Sequence, residues 1–166
     1  GIAQSEDRGR SWSVVTRDHR FIDDIATRPG TQTLVASSQR SVEFFRSTDG
    51  GLTWTVQSHF RPLRSVTHGG GDVWYGLEFR GTLNNPIVRS SSDGVGFELL
   101  SSQPDGSGGY RDIAFRDADT GLVVDEGDGN SGTGGIWRTD DGGASWTKVL
   151  RSHNDFSVTY AGEDTW

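Results

Sequence analysis

The chain has 166 residues and a formal net charge of −7, with a pI near 5.0; that balance argues against a nucleic-acid surface, which needs a basic footprint to displace counterions. No apolar run approaches the roughly 20 residues of a membrane-spanning helix, and the absence of cysteine removes disulfides and thiolate metal sites. Hydrophobic residues make up only 31% and there are 24 glycines, yet six Trp, eight Phe and three Tyr recur at regular intervals, which points to short strands and tight turns and away from disorder.

In chain order, a strand predicted at Ile2-Ala3-Gln4 runs into the octet Ser5-Glu6-Asp7-Arg8-Gly9-Arg10-Ser11-Trp12, and another begins at Ser13-Val14-Val15. The next unit opens with a short apolar strand at Asp24-Ile25-Ala26 and continues through Thr33-Leu34-Val35-Ala36 and Phe44-Phe45-Arg46. It then enters the octet Ser47-Thr48-Asp49-Gly50-Gly51-Leu52-Thr53-Trp54 and leaves along Thr55-Val56. The same order recurs as Ser65-Val66-Thr67, Asp72-Val73-Trp74-Tyr75-Gly76-Leu77, Ile87-Val88-Arg89, the octet Ser90-Ser91-Ser92-Asp93-Gly94-Val95-Gly96-Phe97, and Glu98-Leu99-Leu100. A further copy reads Asp112-Ile113-Ala114, Gly121-Leu122-Val123-Val124, Ile136-Trp137-Arg138, the octet Thr139-Asp140-Asp141-Gly142-Gly143-Ala144-Ser145-Trp146, and Thr147-Lys148-Val149-Leu150. Ser157-Val158-Thr159 then opens another unit. β-Branched and aromatic residues in these segments suit a pleated surface. The stretches between them are turn formers without helical spacing, so no helix is expected.

The closing aromatics stand at 12, 54, 97 and 146, spaced by 42, 43 and 49 residues. A period in the forties, with four antiparallel strands per unit, marks propeller blades. The expected fold is all-β: a β-propeller of four-stranded antiparallel blades, with about four blades covered in a single domain or segment. The units run over 1–15 as a partial blade, 20–58, 62–101, 109–150, and 155–166 as a partial blade. The glycine-rich stretch 127–135 accounts for the longest spacing, because a loop lengthens without disturbing the core. Joining the two partial blades would leave a unit about ten residues short of the roughly 40–45 that a blade takes. The chain, which starts at Gly1 and holds no methionine, is therefore expected to be a window on a longer array of six to eight blades. Self-association of two such chains into one ring is the alternative.

The octets share the pattern Ser/Thr-x-Asp-x-Gly-x-Ser/Thr-Trp. The copy at 90–97 is decayed, with Ser92 for Asp and Gly96 for Ser/Thr. A sharp hairpin explains the pattern: Gly51 and Gly143 take positive φ, and the Asp carboxylate and flanking hydroxyls accept backbone N–H groups. The closing aromatic buries a ring, worth roughly 2–3 kcal/mol. Asp7, Trp12, Asp49, Trp54, Phe97, Asp141 and Trp146 are accordingly assigned to structure.

Asp125, Glu126, Asp128 and Asn130 form an oxygen-rich group, but they lack the spacing of an EF-hand loop. No metal and no cofactor is expected. The histidines, His19, His59, His68 and His153, show no ligand spacing and are expected at the surface. Lys148 is the one lysine among 16 basic residues; the arginine bias is read first as what a GC-rich genome writes, with a preference for bidentate carboxylate contacts as the alternative. Arg20, Arg64 and Arg111 sit just before or within the first strands of their units, near Asp23, Asp24 and Asp155. First strands line the channel of a propeller, so a mixed ring of charge at its mouth either solvates the channel or holds a peptide or small anion. Arg20, Asp24, Arg64, Arg111 and Asp112 are the candidate ligand-binding residues. No catalytic residue is assigned. An inverting glycosidase needs two carboxylates about 6.5–9.5 Å apart, for which Asp23, Asp24 and Asp112 are the candidates; the plainer reading has them satisfying backbone or arginine donors at strand starts.

The octet resembles the Asp-box, or BNR repeat, of sialidases, sortilin-type receptors, xyloglucanase-type glycoside hydrolases and photosystem II assembly factors. The segment Tyr110-Arg111-Asp112-Ile113-Ala114-Phe115-Arg116-Asp117-Ala118-Asp119-Thr120-Gly121, followed by 135–146, looks most like a blade of the assembly-factor type. The resemblance implies a propeller whose boxes lie away from the binding centre, and an extracytoplasmic setting, whether secreted, periplasmic or lumenal. Sialidase chemistry would require an arginine triad, a Tyr nucleophile with a Glu partner, and a Phe/Tyr-Arg-Ile-Pro motif. Phe60-Arg61-Pro62 is one residue short of that motif and follows a box. The resemblance thus implies a non-enzymatic scaffold or assembly factor with a protein or peptide partner. A glycan-active hydrolase with catalytic residues partly outside this segment is the alternative.

Overall fold

A computed structural model describes residues 1–16, 21–81, 86–90, 93–105, 109–127, 133–151, 157–162 and 165–166. Among them there is no helix. β1 (Ile2–Gln4) and β2 (Ser13–Thr16) form a hairpin. Three four-stranded antiparallel sheets follow, each a meander in chain order. The first contains β3 (Asp24–Thr27), β4 (Leu34–Ser37), β5 (Glu43–Ser47) and β6 (Thr55–Ser58). The second contains β7 (Leu63–His68), β8 (Trp74–Glu78), β9 (Ile87–Ser90) and β10 (Glu98–Leu99), and the third β11 (Tyr110–Phe115), β12 (Gly121–Asp125), β13 (Gly135–Thr139) and β14 (Thr147–Arg151). The protein is a β-propeller in the form of an arc. Ser157-Val158-Thr159 departs from expectation: it lies beside β11, tied to Asp112, but forms no strand ladder.

Alternation along each strand sends neighbouring residues to opposite faces. In the middle sheet both faces are packed, so β8 is buried at every position. Trp74 and Val88, with Leu63, Val66 and Phe97 of the same unit, face the first sheet and meet Val35 and Phe44. Tyr75 and Ile87 face the third, meeting Tyr110, Ile113, Phe115, Val123 and Trp137. Tyr75 stacks on Phe115 with ring centroids 3.5 Å apart, and its hydroxyl donates to Ala118 O at 2.7 Å.

The octets close their hairpins with the same four hydrogen bonds in three copies. In the second, Ser47 Oγ–H donates to Asp49 Oδ1 at 2.8 Å and Gly51 N–H to Ser47 Oγ at 2.8 Å. Thr53 donates its N–H to Asp49 Oδ1 at 2.9 Å and its hydroxyl to Oδ2 at 2.5 Å. Asp7 and Asp141 repeat this with Ser5 and Ser11, and with Thr139 and Ser145. Gly51 has φ 92° and Gly143 φ 89°, where a Cβ would be strained. Donors from Ser11, Thr53 and Ser145 bring Asp7, Asp49 and Asp141 from the ordinary 3.8 down to about 2.

Two features depart from the sequence reading. Trp12 is 67% exposed, whereas Phe97 of the decayed octet is 5% exposed. The β1–β2 hairpin offers Trp12 no inner strands of its own sheet, whereas Phe97 inserts edge-on against Phe44 of the preceding sheet. Trp54 and Trp146 are half-buried. In the decayed octet a carboxylate stands one residue beyond the position occupied by Ser92, which lies outside the described residues. Asp93, at φ 53°, reaches out of its own turn to Arg46 Nη2 at 2.5 Å, Arg28 Nη1 at 2.9 Å and Trp74 Nε1 at 3.3 Å. Burial works to raise its pKa, and Arg28, Arg46 and Trp74 outweigh that and hold it below the ordinary value. The decayed turn has exchanged an internal latch for a clamp between sheets.

Phe97→Ala is expected to cost about 3–5 kcal/mol, and Trp12→Ala no more than about 0.5 kcal/mol, both measured by urea unfolding. Asp93→Ala, which removes one carboxylate contact from each of two part-buried arginines while Arg28 keeps Asp72 and Arg46 keeps the backbone carbonyl of position 93, should cost about 2 kcal/mol in the same measurement. The octet carboxylates have folded pKa values below the ordinary one. Their stabilisation is therefore complete above about pH 4 and lost as pH falls through about 2. The Tm should fall across that window, and less steeply in the double variant Asp49→Asn/Asp141→Asn.

Candidate functional site at the channel mouth

Strand register defines the two ends of the arc. Thr27 pairs with Leu34 and Leu34 with Ser47, so the far ends of the inner strands lie with the octets. Asp24 pairs with Ser37 at the opposite end, where the inner strands β3, β7 and β11 begin and pack side by side. Their aligned first-position residues, Asp24, Ser65 and Asp112, meet there with Ser157. Each Asp reaches a backbone amide of the neighbouring inner segment. Asp24 Oδ2 accepts Val66 N–H at 3.0 Å, and Asp112 Oδ2 accepts Val158 N–H at 2.9 Å and Ser157 Oγ–H at 2.8 Å. Ser65 Oγ lies 2.9 Å from Asp24 Oδ2 and 3.1 Å from Asp112 Oδ1. Burial, reinforced by the charge of Asp112, raises the pKa of Asp24 against the opposing hydrogen bonds from Val66 and Ser65.

These residues line a cavity of about 340 Å³ together with Asp23, Gln39, Arg64 and Arg111. Arg111 is ion-paired with Glu126. Asp23 accepts the backbone N–H of Gln39 at 2.7 Å and its side-chain amide at 3.1 Å. Arg64 is half-buried, and among the described residues no hydrogen bond or ion pair engages its guanidinium. Burial and then the neighbouring Arg111 cation push its pKa below the ordinary value, yet a guanidinium stays charged. Among the described residues the cavity therefore contains a cation that no carboxylate contacts directly, although Glu126, Asp23 and Asp112 act on it at longer range. Deeper along the same strands, toward the octets, a second cavity of about 480 Å³ is walled by Ile25, Ala26, Val66, Ala114 and Val158, with His68, Arg116 and Tyr160 also lining it.

Of the sequence candidates, Asp24, Arg64, Arg111 and Asp112 come together at this mouth. Arg20 and Asp155 lie outside the described residues, as do His19, His153, Asp128 and Asn130. Asp125 is fully buried and accepts Gly127 N–H at 3.0 Å. No group of three His, Cys, Asp or Glu positioned for a metal occurs among the described residues. Asp24 and Asp112 have a hydroxyl between them, where the inverting geometry needs a gap of about 6.5–9.5 Å for water. The expectation that the histidines lie at the surface fails for His59. Its side chain is 8% accessible, with Nε2 2.8 Å from Glu78 Oε1, and Arg80 closes on Glu78 Oε2 at 3.2 Å. The one sequence signal for this cluster is a carboxylate ending the apolar run of β8.

Antiparallel four-stranded sheets stacked around a lined axis define the chain as propeller material. Solved structures of this fold resemble it. YCF48 from Cyanidioschyzon merolae superposes with a TM-score of 0.60 at 19% identity, over 80% of this chain and 38% of that one. A structure of YCF48 bound to D1 peptide gives 0.60 at 17%, over 76% and 39%. The GH74 enzyme of Niastella koreensis gives 0.61 at 19%, over 90% and 26%. The chain thus spans about two-fifths or less of each. No family model and no curated protein matches it.

Proposed function

We propose that this chain is part of an Asp-box β-propeller that serves as a binding scaffold, holding an acidic stretch of a protein or peptide at its channel mouth. The units 20–58, 62–101 and 109–150 act as blades, and the octets act as fold markers distant from the ligand. The observation that carries this reading is Arg64: a half-buried guanidinium in a cavity, beside a second arginine and with no ion pair or hydrogen bond to its donors among the described residues. A carboxylate supplies a direct partner and accepts the planar fork of donors in a bidentate pair. The arrangement of Asp24 and Asp112, whose oxygens are taken up by backbone amides and serine hydroxyls, supports binding over hydrolysis. The likeness to YCF48 bound to D1 peptide supports a peptide ligand and the assembly-factor role. It accords with the extracytoplasmic setting that the Asp-box resemblance implies.

Calorimetric titration with short acidic peptides, against neutral peptides of equal length, tests this. Arg64→Ala should weaken acidic-peptide binding about 10-fold or more, since a hydrogen bond to a charged group is worth about 1.5–3 kcal/mol. Trp12→Ala, in an octet, should leave binding unchanged. No peptide binding together with hydrolysis of a glycan panel would overturn the reading in favour of a hydrolase related in function to the GH74 enzymes.

A further inference from the structure

The Ser65 hydroxyl stands between two carboxylates, 2.9 Å from Asp24 Oδ2 and 3.1 Å from Asp112 Oδ1. A serine carries one hydroxyl proton and donates to one of these oxygens at a time. With both carboxylates ionised, the second contact is an oxygen–oxygen approach without a hydrogen, in a joint where burial already penalises charge. The backbone does not resolve it. Val66 N–H goes to the same Asp24 oxygen at 3.0 Å, and Ile25 N–H to the other at 2.8 Å. A proton on Asp24 does resolve it, because Asp24 Oδ2–H then donates to Ser65 Oγ and Ser65 Oγ–H donates to Asp112 Oδ1. Ile25 N–H and Val66 N–H on Asp24 are matched by Ile113 N–H and Val158 N–H on Asp112, and the Ser157 Oγ–H that Asp112 receives in addition sets this direction.

We propose that Asp24, Ser65 and Asp112 hold one proton in common, and that the inner rim of the channel is a proton-operated joint. With the proton in place, β3, β7 and β11 are tied through one continuous hydrogen-bond chain. Without it, two negative charges meet across a single hydroxyl. The charged groups facing the trio are Asp23 beside Asp24, Arg64 from β7, and Arg111 with Glu126 from the third sheet. Arg111 is occupied by Glu126 and Asp23 by Gln39. Arg64 forms no ion pair among the described residues, so none of these groups neutralises the second charge by direct contact. Burial, with the nearby Asp112 adding to it, moves the Asp24 carboxyl in the same direction. If the mouth holds an acidic peptide, the shared proton also removes a negative charge near Arg64 and strengthens binding on the acid side. That consequence rests on the reading given above, whereas the shared proton does not.

Carboxyl ¹³C NMR of the full chain without ligand tests the inference. The Asp24 Cγ resonance should titrate above the ordinary value of about 3.9, and in Asp112→Asn it should move back toward that value, since the hydroxyl then faces one charge. A wild-type midpoint at or below the ordinary value overturns the proposal. So does a raised midpoint that Asp112→Asn leaves in place, which assigns the shift to burial alone. A second measurement does not depend on that variant folding. A raised folded pKa contributes stability that is present below the unfolded value and lost as pH rises through the folded one. The wild-type Tm should therefore decline as pH rises through the Asp24 midpoint, and Asp24→Asn should remove that slope; equal slopes overturn the proposal. If Asp24 titrates as stated while acidic peptides fail to bind at any pH, the shared proton stands and the peptide reading falls.

Discussion

The backbone hydrogen bonds among the described residues run within sheets, so the attachment of one sheet to the next falls to side chains. At the inner rim, the Asp24 and Asp112 carboxylates capture the amides of Val66 and Val158 on the neighbouring inner segments. In the middle of the sheets, Tyr75 lies on Phe115 and donates its hydroxyl to Ala118 O. At the octet end, Asp93 holds Arg28 and Arg46 of the preceding sheet. The polar joints at the two ends tie adjacent sheets together, and the aromatic and aliphatic clusters between them bury apolar surface, the dominant favourable term in folding. The channel and its mouth have the shape these joints impose.

The two ends of the arc differ in how fully their polar groups are satisfied. At the octet end, each intact turn directs two hydroxyls and a backbone amide at one carboxylate, leaving little for a ligand to add. At the mouth, Asp23, Asp24, Arg111 and Asp112 have hydrogen-bond or ion-pair partners within the protein, while the Arg64 guanidinium has no direct one among the described residues. Binding energy is available where a buried charge still lacks its partner. The contrast supports the proposal that the binding surface lies away from the most conspicuous motif in the sequence.

Much of the fold was legible in the sequence because propeller sheets are local: each is a meander of consecutive strands, and the octet recurs once per sheet. The alignment of Asp24, Ser65, Asp112 and Ser157 in the sequence also matches four residues that line one cavity in the structure. What the sequence did not show depends on contacts across sheets. Asp93 looked like a free position of a decayed octet, and its role follows only from the placement of Arg28 and Arg46 on the preceding sheet. His59 read as a surface residue because Glu78, its buried partner, lies 19 positions away on the next sheet. The exposure of Trp12 reflects the strands that surround it and not the octet that contains it. The bridging position of Ser65 is likewise a property of three adjacent strands, with no trace in any one of them.

The central claim is that ligands meet this protein at the inner-strand mouth and not at the octets. Mapping backbone amide chemical-shift changes on adding an acidic peptide tests it most directly. The account predicts changes concentrated at Asp24, Arg64, Ser65, Arg111 and Asp112, with the amides of Thr53 and Ser145 unmoved. Changes centred on the octet turns, or on the outer strands β6, β10 and β14, would contradict it.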